Sequence, residues 1–133
     1  MNAIPSRVLI VEDEESILLS LEFLLGKEGY AVNTARDGAA ALRALQTQAP
    51  DLILLDIMLP LIDGFELCRL IRENPALRGT RIMLLTARGR EAEIARGMAL
   101  GADAYLTKPF STRELMDRVR RLLSENGKPQ PAG

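Results

Sequence analysis

The sequence predicts an α/β fold of five strand–helix units, (βα)5, wound into a doubly wound parallel sheet. Three observations carry that expectation. Short apolar runs alternate with stretches whose apolar residues recur at helical spacing. One run, Leu52-Ile53-Leu54-Leu55, has no polar side chain, so both its faces must be buried, as in a central strand of a parallel sheet. Reactive side chains stand where the runs stop: Glu12 and Asp13, then Asp56, Thr86 and Lys108.

The elements follow in order. Arg7-Val8-Leu9-Ile10-Val11 reads as a buried first strand and ends on four acids, Glu12-Asp13-Glu14-Glu15. Ile17, Leu18, Leu21, Leu24 and Leu25 then make one helical face, stopped by Gly26 and Gly29. Residues 30–35 form a weaker, edge-like strand. Asp37-Gly38 is a turn or cap before a short helix containing Ala40, Leu42, Ala44 and Leu45, which ends before Pro50. The central strand 51–55 follows, and then a loop with the turn chemistry of Pro60 and Asp63-Gly64. Phe65, Leu67, Cys68 and Ile71 give a third helix, ending near Asn74-Pro75. Residues 81–85 are a fourth strand with Thr86-Ala87 at its end. Residues 90–100 are a fourth helix despite Gly97 inside it, and 104–107 a fifth strand before Lys108-Pro109. Ser111-Thr112-Arg113-Glu114 is a capping box opening a last helix, with Leu115, Val119, Leu122 and Leu123 inward. Residues 127–133 are a polar, Pro/Gly tail with nothing to bury.

Right-handed crossovers between parallel strands favour the flavodoxin-like order 2-1-3-4-5. That order puts strands 1 and 3 side by side. Glu12, Asp13 and Asp56 then meet at the topological switch point, where such sheets bind ligands, and Thr86 and Lys108 arrive at the same rim.

Composition narrows the chemistry. At 133 residues, 47% hydrophobic and 26% charged, the chain suits one globular domain. It has no apolar run of ~18 residues, and no basic-then-apolar leader, so a cytoplasmic location is expected. A net charge of −1 gives no case for direct nucleic-acid binding. With no histidine, Ser-His-Asp and Cys-His catalysis are excluded. The single cysteine, Cys68, cannot supply a thiolate zinc site and reads as a core residue. A bound metal must therefore be hard and oxygen-ligated.

Three clustered carboxylates repel: two unit charges ~4 Å apart cost about 4 kcal/mol at an effective dielectric of ~20. Either a cation sits among them or their pKa values rise. Mg²⁺ (or Mn²⁺) is the economical answer, with Lys108 as a second, fixed positive charge. A carboxylate beside such a cation, an ammonium and the Thr86 hydroxyl is equipped to take a phosphoryl group as nucleophile. The chain has no histidine to donate internally and no Gly-rich nucleotide cradle, so the phosphoryl must come from outside. Each residue alone has a plainer role: cap, dipole complement, β-former, solvated lysine. Those roles do not explain why all of them stand at strand ends of one (βα)5 pattern.

The residues that carry a resemblance are now assembled: Val8-Leu9-Ile10-Val11-Glu12-Asp13-Glu14, Asp56 with Pro60 and Asp63-Gly64, Leu85-Thr86-Ala87, Gly101-Ala102-Asp103-Ala104-Tyr105 and Lys108-Pro109-Phe110. With them the sequence resembles the receiver domain of two-component response regulators over residues 6–125, leaving 126–133 as a disordered tail or the start of a linker. The resemblance implies that Asp56 is the phospho-acceptor and that Asp13 and Asp56 bind Mg²⁺ with the Met58 backbone carbonyl, Glu12 acting through water. It implies that Lys108 contacts the phosphoryl and joins Pro109 by a cis bond, which an X-Pro bond permits at modest cost. Thr86 and Tyr105 would be the switch pair, with Met58 and Arg88 at positions that tune phosphoryl lifetime.

The implied phosphodonor is a histidine kinase or histidine phosphotransfer protein. The implied output is a changed surface of helix 4, strand 5 and helix 5 that controls a protein partner. Such a protein signals; it catalyses only its own phosphorylation and slow dephosphorylation. Met1 and the short tail favour a stand-alone receiver over the receiver of a longer DNA-binding regulator. The chain most resembles receivers of the winged-helix DNA-binding subfamily, which dimerise through ion pairs on that surface. It keeps Asp103, Arg118 and Arg120 but has Ile94, Ala99 and Ala104 in place of charged partners, so a monomer or weak phosphorylation-dependent dimer is expected. Among rivals, a dehalogenase-like phosphatase wants an acid where Met58 stands. A flavin-binding module wants a phosphate-cradling loop where the four acids stand. A phosphate-independent pseudo-receiver would not need the intact set Asp13, Asp56, Thr86 and Lys108.

Overall fold

The computed structural model describes residues 4–59 and 62–124. Pro60 and the tail at 126–133 lie outside the described residues, as does Glu125.

Five parallel strands form one sheet: β1 (Arg7–Val11), β2 (Ala31–Ala35), β3 (Leu52–Asp56), β4 (Arg81–Ala87) and β5 (Ala104–Lys108). Their order is β2-β1-β3-β4-β5, as the crossover argument requires. Five α-helices connect or follow them: α1 (Glu15–Lys27), α2 (Gly38–Thr47), α3 (Gly64–Glu73), α4 (Glu91–Ala99) and α5 (Thr112–Ser124). A 3₁₀ turn at Pro75–Leu77 follows α3, its Ala76 N–H donating to the Asn74 side chain at 2.9 Å.

The pleat divides the core in two. Val8, Ile10, Leu52, Leu54, Met83 and Leu85 face α1 and α5. Their alternate neighbours Leu9, Val11, Ile53, Leu55, Ile82 and Leu84 face α2 and α3. Every residue of β3 is buried, which is why its sequence cannot alternate with polar side chains. β2 buries only Ala35 fully and leaves Asn33 and Thr34 to solvent, as an edge strand can.

Helix starts are chemically marked. Asp37 accepts from the Ala40 N–H at 2.7 Å to start α2, and Asp63 accepts from the Glu66 N–H at 2.8 Å to start α3. At α5 the capping box closes both ways: the Glu114 N–H donates to Ser111 Oγ at 3.0 Å, and the Ser111 N–H donates to Glu114 Oε1 at 3.3 Å. The acids before α1 do not cap it in this way, for Glu14 at its N-cap makes no side-chain bond.

Three strands end later than the sequence reading has them. Asp56 is the last residue of β3, Thr86 and Ala87 lie within β4, and Lys108 closes β5. Pairing with the neighbouring strand extends each one: Asp56 stands opposite Leu85, Thr86 opposite Thr107 and Ala87 opposite Lys108. Gly97 explains itself by packing, since a Cβ there would collide with Leu84 Cδ1, which lies under α4.

Candidate functional site

The site forms at the carboxyl ends of β1, β3, β4 and β5. β1 delivers Glu12 and Asp13 just beyond Val11, and β3 delivers Asp56 beside them, because β1 and β3 are paired. Carboxylate oxygens of Glu12, Asp13 and Asp56 lie within 4.8 Å of one another. Glu12 is fully buried and Asp56 nearly so, while Asp13 is exposed.

Lys108 reaches this cluster from the end of β5. Its Nζ donates to Glu12 Oε1 at 2.8 Å and to Asp56 Oδ2 at 3.4 Å. The shorter bond is to Glu12, a pairing across 96 sequence positions that no local pattern announces. The other oxygen of each acid is held by the main chain. Asp56 Oδ1 accepts from the Met58 N–H at 2.9 Å, and Glu12 Oε2 accepts from the Glu14 N–H at 3.1 Å. The peptide bond after Lys108, to Pro109, is cis.

Electrostatics follow the burial. Desolvation pushes the Glu12 carboxyl up to about 7, against the pull of its bond to Lys108; the Asp56 carboxylate adds to the rise. Burial acts to lower the Lys108 ammonium, but its bond to Glu12 and the charge of Asp56 outweigh burial and hold it above the ordinary lysine value. Cys68 takes no part. It lies on the buried face of α3, where desolvation pushes its thiol up to about 11.

The two remaining expected site residues are engaged by other groups. Thr86 is buried, and its hydroxyl makes a long bond of 3.4 Å to the Ala87 carbonyl. Tyr105 is exposed, with the Arg118 guanidinium 5.9 Å from its ring centre and donating to its own carbonyl. Met58 is also exposed; its N–H is the group turned to Asp56. Gly64 lets α3 approach the site's stem. Its N–H donates to the Ile57 carbonyl at 3.3 Å, and a Cβ there would lie 2.6 Å from Ile57 Cα.

The sequence reading missed one residue of the rim. Arg36, just past the end of β2, donates to the Asp13 carbonyl at 3.3 Å. The rule that strand ends supply the site, applied to β2 as well, would have found it.

The donor set fits a hard divalent cation. Three carboxylates converge on one volume, all its side-chain donors are oxygens, and one ammonium is too little charge to balance three acids. Glu12, Asp13 and Asp56 are the acids that would surround it.

The chain is 48% identical over 117 residues to the phosphate regulon transcriptional regulatory protein PhoB of Rhizobium meliloti, covering 88% of this chain and 52% of that protein. It is 46% identical over 117 residues to the alkaline phosphatase synthesis transcriptional regulatory protein PhoP of Bacillus subtilis, covering 88% and 48% respectively. The chain thus spans about half the length of the curated relatives it matches. Among solved structures it superimposes on the chemotaxis response regulator CheY4 of Vibrio cholerae with a TM-score of 0.85 at 33% identity, covering 90% of this chain and 99% of that one. The family model of the response regulator receiver domain matches residues 8–120. The chain belongs to the response regulator receiver domain family, and its fold is the five-stranded flavodoxin-like one of that family.

Proposed function

We propose that this domain is a phosphorylation-activated switch, taking a phosphoryl group on Asp56 from a partner histidine kinase or histidine phosphotransfer protein. The observation that carries the reading is the convergence of Glu12, Asp13, Asp56 and Lys108 at one rim of the sheet. Asp13, Asp56 and the Met58 carbonyl would hold Mg²⁺ (or Mn²⁺), with Glu12 acting through water. A bound cation supplies charge neutralisation for the transferring group.

The protein's own residues do the rest. Asp56 sits on a fully buried strand, so its carboxylate is presented on a fixed stem. The Met58 N–H fixes one carboxylate oxygen and leaves the other on the Lys108 side. An Asp56 oxygen attacks phosphorus, the phosphorus–nitrogen bond of the partner's phosphohistidine breaks, and the imidazole leaves with that electron pair. Lys108 offers its ammonium to the equatorial oxygens. Thr86, bound only weakly at 3.4 Å, is free to turn to the product phosphoryl, and Tyr105 then turns inward. That change would alter the surface of α4, β5 and α5 and so its affinity for a protein target. Domain bounds of 6–125 follow from the same reading. Catalysis is confined to the domain's own phosphorylation and slow dephosphorylation.

The identity to two transcriptional regulators favours a second reading of the output, in which this domain controls an attached DNA-binding half. Both readings share one test. Intact mass is measured after incubation with acetyl phosphate, with Mg²⁺ or with EDTA, on wild type and on Asp56→Asn. One Mg²⁺-dependent phosphoryl adduct, absent from Asp56→Asn, is expected. No adduct would make the domain a phosphate-independent binding module.

A further inference from the structure

We infer that Arg36 is a positioning residue of the acidic site: its guanidinium holds the Asp13 main chain so that the Asp13 carboxylate is presented to a divalent cation. The inference rests on the cation reading proposed above and adds to it a residue delivered by the edge strand, β2.

Arg36 stands on a fixed main chain. The Glu12 N–H donates to the Ala35 carbonyl at 3.0 Å, so the pairing of β1 with β2 runs one step beyond Val11 and Ala35 and sets Arg36 beside the acids. On its other side the Asp37 carboxylate accepts from the Ala40 N–H at 2.7 Å as the cap of α2. With both neighbours held, only the exposed side chain of Arg36 has to be ordered. Its Nη2 donates to the Asp13 carbonyl at 3.3 Å.

Asp13 is the acid that needs such a hold. Glu12 is buried and both its carboxylate oxygens are engaged, Oε1 by Lys108 at 2.8 Å and Oε2 by the Glu14 N–H at 3.1 Å. Asp56 closes a fully buried strand. Asp13 lies at a bend between β1 and α1, exposed, and its carboxylate is in no ion pair among the described residues. Glu14, the N-cap of α1, makes no side-chain bond that would steady the bend.

What matters is the atom that Arg36 takes. A guanidinium on the Asp13 carboxylate would form an ion pair and occupy the lone pairs that a metal needs. On the carbonyl it fixes the residue and leaves both carboxylate oxygens open. Mg²⁺ demands near-ideal octahedral geometry, so a ligand free to swing binds it less well. Partners that orient a metal ligand are commonly worth ~10–100-fold in metal affinity. One exposed bond to a main-chain carbonyl falls below that, at about 5-fold. The charge of Arg36 acts the other way, since it repels a cation. Salt separates the two effects: the screening length falls from about 10 Å at about 0.1 M to about 3 Å at about 1 M, which removes the repulsion and leaves the positioning.

The test uses the full 133-residue chain, ¹⁵N-labelled and unphosphorylated. Mg²⁺ is titrated in at both salt concentrations, and its Kd is read from the amide shifts of Glu12, Asp13 and Asp56. Wild type is compared with Arg36→Met, which has neither donor nor charge, and with Arg36→Lys, which keeps both; melting curves report that each is folded. At the higher salt Arg36→Met should raise the Mg²⁺ Kd about 5-fold. At the lower salt the deficit should be smaller, because loss of the repulsion offsets it. Arg36→Lys should recover most of the affinity. Without metal, Arg36→Met should move the Asp13 and Glu14 amides and leave that of Lys108 in place. Unchanged or tighter Mg²⁺ binding by Arg36→Met at the higher salt would overturn the inference, as would a lysine variant no better than the methionine one.

Acetyl phosphate labelling of the wild type, run in parallel, keeps this inference apart from the switch reading. Arg36-dependent Mg²⁺ binding without a phosphoryl adduct on Asp56 supports the positioning role and counts against the switch. A Mg²⁺-dependent adduct with a Kd indifferent to Arg36 removes the positioning role and leaves the switch. Wild type showing no Mg²⁺ shifts at the three acids would overturn the positioning role together with the cation site.

Discussion

Glu12 is the residue on which the site's stability turns. Fully buried, beside Asp56 and with only Lys108 to balance it, it is costly to ionise in the folded chain. Its carboxyl rises from an ordinary value near 4.5 to about 7. A raised folded-state pKa means that its contribution to stability is fully present below about pH 4.5 and is lost as pH rises through about 7. The full loss amounts to roughly 3 kcal/mol. Melting in EDTA from about pH 5 to about pH 8 should therefore show wild type losing more stability than Glu12→Gln. Parallel curves would refute this. At the upper end Mg²⁺ should restore wild type by about 1.4 kcal/mol at ten times its Kd. At this scale the sequence was informative about the acids, because each ends an apolar run. It was silent on the bond from Lys108 to Glu12, since residues 96 positions apart leave no periodic trace of their pairing.

At the level of elements, the helix most open to doubt in the sequence was α4, because a glycine lies inside it. Gly97 there serves close approach rather than flexibility: any Cβ would meet the Leu84 side chain. Gly97→Ala gains up to about 1 kcal/mol of helix propensity but overpacks by about 1–3 kcal/mol, so urea unfolding should show a net loss. A stabilised variant would mean that α4 is free to shift. A cap gives a cleaner number. Asp37→Ala removes the bond that starts α2 and should cost about 1 kcal/mol in urea unfolding; an unchanged midpoint would show the cap to be idle. Caps and the apolar run of β3 were legible because their signals are local. The lengths of β4 and β5 were not, because Thr86, Ala87 and Lys108 become strand residues through pairing across the sheet.

For the whole molecule, right-handed crossovers and one edge-like strand were enough to predict the strand order that the sheet has. What escaped that logic is the far end of the sheet, where Asp103 ties α3, β4 and the start of β5 through Arg72, Arg81 and the Ile82 N–H. From the sequence, Asp103 was notable only as a residue shared with a dimerising subfamily; within the fold its carboxylate is held by Arg72, Arg81 and the Ile82 N–H. Asp103→Ala should destabilise the protein by roughly 2–3 kcal/mol, less than a fully buried network because both arginines keep some solvent. A melting curve within error of wild type would show the network to be ornamental. The parallel sheet has a last consequence. The site residues arrive from four different strands, so no contiguous half of the chain holds the whole constellation. A break at the exposed Arg78–Gly79 step would put Glu12, Asp13 and Asp56 on one fragment and Thr86 and Lys108 on the other. Neither fragment alone should accept a phosphoryl group, and mass analysis of the mixture would read out their reassembly, making the domain a self-reporting complementation pair.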